Sequence, residues 1–177
     1  NILKGFFSTF KAADRHLKFV FLTGVTKFSQ ISVFSGFNQP KDISMNTDYE
    51  SLCGITQEEL ESYFAEPIGE MAESEDCTRE EMLLKLKREY DGYHFGKKLI
   101  DIYNPFSILN AFDNKSIESY WPRSANSEYL LRLLAHSQEK IIDYVGKYYS
   151  LREFIDYKAD VEKPLPMIYQ SGYLTIK

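Results

Sequence analysis

Basic residues are in deficit in this chain. Lys and Arg number 21 against 26 Asp and Glu, a formal net charge of −5. A non-specific nucleic-acid binder needs a basic stripe to neutralise phosphates, so the balance argues against that class. The local basic runs, Lys85, Lys87 and Arg88, then Lys97 and Lys98, are broken by acids and aromatics and read as solvated faces. Cysteine is scarce: Cys53 and Cys77 form no C-x-x-C pair and have no histidine at zinc-ligand spacing. A disulfide between them stays open from sequence, and two reduced thiols in a cytoplasmic protein is the simpler account. No apolar run reaches the ~18 residues of a membrane-spanning helix.

A phosphate-binding loop is also lacking. It needs G-x-x-x-x-G-K-[ST] between a strand and a helix. The nearest string, Gly92-Tyr93-His94-Phe95-Gly96-Lys97-Lys98, is one residue short, has no Ser or Thr to hold Mg²⁺, and follows a helical pattern. No apolar strand ends in Asp-Glu. A nuclease of the PD-(D/E)-x-K type is not spelled out either: Asp160 and Glu162-Lys163 have the wrong spacing, and Pro164 and Pro166 oppose a strand there. His16, His94 and His136 are scattered, with no Ser or Cys in a triad setting, and read as structural or exposed. The acidic clusters Glu58, Glu59 and Glu61, and Glu73, Glu75 and Asp76, lie near helix starts, where they complement the helix dipole.

Aromatics are plentiful, with 13 Tyr and 13 Phe in 177 residues, enough to dominate a core. Residues 2–13 carry Ile2, Phe6, Phe7 and Phe10 at helical spacing. Leu17-Lys18-Phe19-Val20-Phe21-Leu22 is an apolar run rich in β-formers and predicts a strand covered on both faces, as in a parallel sheet. It leaves at Thr23-Gly24, and ligands of open α/β sheets bind at such carboxyl ends. The hydroxyls of Thr23 and Thr26 and the ammonium of Lys27 could meet a terminal phosphate there. A capped strand end with a surface lysine is the competing reading. Asp42-Ile43-Ser44-Met45 offers a second strand.

From residue 56 the pattern turns helical. Thr56-Gln57-Glu58-Glu59 and Thr78-Arg79-Glu80-Glu81 are capping boxes. Pro67 is expected to end the first of these helices. Met82, Leu83, Leu86 and Tyr90 stripe the second, and Asp91-Gly92 is a turn. Asn104-Pro105 opens another helix. Further helices are expected over 127–136 and 138–147, with Ser150-Leu151-Arg152-Glu153 capping a last short one. Asn1-Ile2-Leu3 opens without an initiator Met, and Tyr173-Leu174-Thr175-Ile176-Lys177 alternates like a strand, so sequence is expected on both sides.

These segments, taken together, resemble the AAA-ATPase-like family of bacteria. The likeness rests on Phe19-Val20-Phe21-Leu22-Thr23-Gly24-Val25-Thr26-Lys27-Phe28-Ser29, Phe34-Ser35-Gly36-Phe37-Asn38, Asp42-Ile43-Ser44-Met45, Cys53-Gly54-Ile55-Thr56 and Glu58-Glu59-Leu60. It continues through Tyr90-Asp91-Gly92-Tyr93-His94-Phe95, Tyr103-Asn104-Pro105-Phe106-Ser107, Tyr120-Trp121 and Tyr169-Gln170-Ser171-Gly172-Tyr173-Leu174-Thr175. It covers nearly the whole chain and matches the part after the P-loop. The resemblance implies a mixed α/β, mainly helical fold: the edge of a P-loop-type parallel sheet followed by a helical lid. Residues 1–50 would end the ATPase-like core, 51–150 form the lid, and 151–177 start a winged-helix-like or β element. It implies ATP and Mg²⁺ as cofactors of the intact protein, none of them bound to this chain alone. It also implies a P-loop segment upstream and a nuclease-like domain downstream as partners. Nucleic acid would be a partner for the intact protein only, and no membrane is expected. By the same likeness Thr23, Thr26 and Lys27 are sensor-1-like nucleotide contacts, and Asp91 or Arg123 is the candidate to reach the site from the lid. The alternative is a non-catalytic interaction module of a nuclease-linked assembly, with Tyr120-Trp121 as its surface.

Overall fold

The computed structural model describes residues 2–24, 41–120, 131–132, 134–135, 137, 140–150, 153–154 and 164–177. Its helices, in chain order, are α1 (Ile2–Ala13), α2 (Gln57–Tyr63), α3 (Ala65–Ser74), α4 (Arg79–Tyr90), α5 (Pro105–Asn114) and α6 (Leu165–Gln170), with 3₁₀ turns at Asp14–His16 and Ile141–Tyr144. The chain divides into two compact units, one of residues 1–42 and 128–174, the other of residues 43–127 and 175–177.

The second unit is built from locally specified helices. Thr56 Oγ1 accepts the Glu59 N–H at 3.2 Å while Glu59 Oε2 accepts the Thr56 N–H at 2.9 Å. Thr78 and Glu81 repeat the exchange at 3.2 and 2.8 Å. Each box satisfies donors that the first helical turn leaves unpaired. Asn104 caps α5 by accepting the Ser107 N–H at 3.0 Å, with Pro105 at the first position. Lys115 closes α5 in the left-handed region at φ 48. Pro67 does not end a helix. It sits in the first turn of α3, where its missing N–H has no intrahelical partner to lose.

α3 packs on α2, α4 and α5. Leu60, Ile68, Met71, Met82, Leu86 and Ile108 on these helices are buried and form one core with Tyr90, Tyr103, Ala111 and Tyr120. Phe64 stacks on Phe112 at 5.3 Å along its edge. A surface ion pair, Lys115–Glu70 at 2.8 Å, ties the end of α5 to α3. Gly69 lies inside α3 with open space where a Cβ would stand. Gly69→Ala is therefore expected to stabilise this unit by about 0.5–1 kcal/mol. A urea melt followed by circular dichroism reads this as a later midpoint.

In the first unit Ile168 of α6 is buried against Leu134, Ile141, Tyr144, Met167, Tyr173 and Leu174. Aromatic rings extend from this cluster through Tyr144, Tyr149, Phe154 and Tyr169, each 5.1–6.4 Å from the next.

The expected sheet edge is overturned. Among the described residues there is no β-strand, and the extended contacts are two isolated antiparallel bridges, Ile55–Tyr103 and Tyr93–Ile102. Leu17 to Leu22 is neither a strand nor buried: Phe19 is 81% exposed and Phe21 47%. The two rings do lie parallel, 6.5 Å apart, as side chains two residues apart on extended backbone can. A strand also needs a neighbour for its N–H and C=O groups, and no described segment supplies one. Ser44 and Met45 form a turn, and Tyr173–Lys177 is irregular, so neither expected flanking strand forms. The helix expected over 138–147 is a 3₁₀ turn at Ile141–Tyr144. That expected over 127–136 is helical at 131–132 and 134–135. No helix among the described residues is long and apolar enough to cross a membrane.

Candidate functional site

A polar cluster of the second unit gathers where α4 ends. Tyr90 is the last helical residue, Asp91 the C-cap, and Gly92 turns the chain at φ +105, a value that favours glycine. Tyr93 then pairs with Ile102, which turns residues 93–95 and 100–103 toward each other. Tyr103 pairs with Ile55 in both directions, its N–H to Ile55 O at 2.8 Å and the Ile55 N–H to Tyr103 O at 3.3 Å. The Asn104 N–H returns to Tyr90 O at 3.2 Å. Gly54 passes so close to Ile102 that a Cβ would overlap its Cγ2. The Tyr103 hydroxyl donates to Gln57 Oε1. Tyr90 Oη donates to Glu118 O at 2.8 Å and accepts the Glu118 N–H at 2.9 Å.

The charged members are Lys87, Asp91, His94 and Asp101. Lys87 Nζ lies 3.6 Å from Asp91 Oδ2 and 3.7 Å from Asp101 Oδ2. His94 Nε2 is 2.8 Å from Asp101 Oδ1, and Nδ1 is 2.6 Å from Ile176 O. The His94 N–H donates to Thr175 Oγ1 at 2.8 Å. The Asp91 side chain is 4% exposed, and its Oδ1 has no hydrogen-bond partner among the described residues. Burial pushes the Asp91 carboxyl above its ordinary value and Asp101 adds to it, against the Gly92 N–H and Lys87. Burial pulls His94 down, but the Ile176 carbonyl and the Asp101 and Asp91 carboxylates outweigh it and hold the imidazole above its ordinary value. Burial takes Tyr90 up to about 12 and raises Tyr103, with Asp91 adding to the latter.

A second buried carboxylate belongs to Glu50, 3% exposed against the backbone of Gly96. Its Oε1 accepts the Lys98 N–H at 3.1 Å, and Oε2 has no hydrogen-bond partner among the described residues. Lys98 Nζ turns instead to Thr47 O at 2.9 Å. Two open depressions flank Gln57. The larger, about 590 Å³, is lined by Gln57, Glu58, Glu61, Ser62 and Arg79, two carboxylates against one guanidinium. Among the described residues no group of three His, Cys, Asp or Glu could hold a metal ion. The cysteines there are free thiols.

Thr23 is exposed outside any helix, in the first unit. Asp91 is buried in the second. Thr26, Lys27 and Arg123 lie outside the described residues. Tyr120 is 2% exposed and bonded to Ser116 Oγ at 2.8 Å, so it belongs to the core, and Trp121 lies outside the described residues. Sequence reading missed Asp101, Glu50 and the role of His94. The one available signal was the Asp91-Gly92 turn followed by alternating Tyr93/Phe95 and Ile100/Ile102, which places His94 and Asp101 on facing extended segments.

The chain is similar to an uncharacterized protein in the vnfD 5' region of Azotobacter chroococcum mcd 1. The two are 29% identical over 176 residues, which is 98% of this chain and 31% of that protein. The chain thus spans about a third of its relative's length. No family model and no solved structure matches it.

Proposed function

We propose that this chain is a helical part of a larger ATPase-like protein, working with a phosphate-binding loop and an acidic Mg²⁺-holding segment supplied by the rest of that protein. One observation carries the reading. Cys53–Thr56, Tyr90–Phe95, Tyr103–Ser107 and Thr175 are far apart in sequence, and each belongs to a segment by which the chain resembles the AAA-ATPase-like family. They converge on one another at the end of α4. The greater length of the Azotobacter relative suits a chain that is one part of such a protein. In this reading Thr23, Thr26 and Lys27 are nucleotide contacts of the longer protein. A reducing, cytoplasmic setting fits the two free thiols.

The chain alone is expected neither to bind a fluorescent ATP analogue at micromolar concentration nor to release phosphate. The longer protein is expected to do both with Mg²⁺, and to lose turnover in Lys27→Ala. Micromolar binding with turnover by the chain alone, or an inert longer protein, would overturn the proposal.

A further inference from the structure

His94 makes ring contacts that only one of its protonation states can satisfy. Both ring nitrogens lie within hydrogen-bond distance of oxygens that accept, a carboxylate at 2.8 Å and a backbone carbonyl at 2.6 Å. Imidazolium carries two N–H donors and serves both. Neutral imidazole carries one and sets a lone pair against the other oxygen. The His94 side chain is 13% exposed, which limits how far water can replace the lost bond. Lys87 lies 3.7 Å from the other oxygen of Asp101. Among the described residues, the charges near the ring include the Asp101 and Asp91 carboxylates, which favour imidazolium, and Lys87, whose ammonium lies near both carboxylates.

We propose that His94 is a proton-dependent clasp that fastens residues 175–177 to the helical unit. Protonated, it bridges Asp101 and the Ile176 carbonyl. On losing its proton it keeps one of the two, and the fixed charge of Asp101 retains the remaining N–H, so the Ile176 contact is the one released. The bond from the His94 backbone N–H to Thr175 does not titrate, so the segment loosens beyond Thr175 while staying attached there. The direction follows from the raised pKa. Fastening is complete below the ordinary imidazole value, and is lost as pH rises through the higher folded value. Residues 175–177 follow directly on Leu174, the last residue of the first unit, so the clasp acts just past the crossover between units. The inference does not depend on the ATPase reading.

The test is a nuclear magnetic resonance titration of the chain, following the His94 ring nitrogens and the backbone proton–nitrogen NOE of Ile176 and Lys177. The His94 midpoint is expected above the ordinary value of about 6.5. The NOE of Ile176 and Lys177 should fall through the same midpoint. Asp101→Asn should lower both transitions together. His94→Gln should leave the NOE low at every pH, with the helical unit's amide spectrum unchanged. A His94 midpoint at or below 6.5, an NOE flat across the His94 titration, or an Asp101→Asn titration like that of the parent chain would each overturn the clasp.

Discussion

Tyr103→Ala is expected to destabilise the helical unit by about 3–5 kcal/mol, the usual cost of deleting a fully buried ring. Tyr103 is 0% exposed in the core shared by α2, α3, α4 and α5. Three things converge on it: the ring fills the space between helices, the backbone pairs with Ile55, and the hydroxyl donates to Gln57. Alanine keeps the backbone pair and removes the other two. A loss of about 3 kcal/mol or more is a large part of the 5–15 kcal/mol that holds a small domain folded. The melting midpoint of the unit should fall by about 12 °C or more. Thermal melts of the two chains by circular dichroism measure it. Tyr103→Phe separates the terms: the ring stays, Gln57 loses its donor, and the expected cost is about 1 kcal/mol. A Tyr103→Ala midpoint within a few degrees of the parent's would mean that the site collapses around the cavity, and that Tyr103 is not central to this core.

Gly54→Ala is expected to cost at least about 2 kcal/mol, although it adds one methyl group. That methyl would overlap Ile102 Cγ2, and it would lie 3.2 Å from Ile102 Cβ and 3.3 Å from Tyr103 O. Ile102 is 2% exposed and β-branched, so it has few rotamers and little room to retreat. The alternative is for residues 53–56 to move away, which breaks the Ile55–Tyr103 pair. The informative comparison is with Gly69→Ala, expected to move the urea midpoint the other way. The same chemical change in one unit thus takes opposite signs, because one glycine faces open space and the other a side chain. Equal shifts in both variants would contradict the close approach at Gly54.

How much was legible from the residues depended on how far each interaction reaches along the chain. Thr56 with Glu59, Thr78 with Glu81, and Asn104 with Pro105 and Ser107 are complete within four residues, and each forms as its pattern predicts. The run from Leu17 to Leu22 failed because its residue types favour a strand while the ladder must come from elsewhere. With Phe19 81% exposed and no described neighbour, composition was a poor guide. Pro67 failed for a related reason. Proline forbids the interior of a helix but is tolerated in its first turn, and position 67 became a first turn when α2 ended at Tyr63. His94 read as a scattered histidine because one of its partners is seven residues away and another 82.

The sequence by itself determined where α2, α4 and α5 start, because their caps act over one turn. It also determined the lack of a phosphate-binding loop and the acidic balance, which no folding can alter. The tertiary structure alone decided that Tyr103 joins the core, that the Asp91 side chain turns inward, and that His94 meets Asp101 and Ile176. Those outcomes depend on segments up to 82 residues apart arriving at the same place. Proximity of that kind follows from packing and chain closure, which no local pattern of residues encodes.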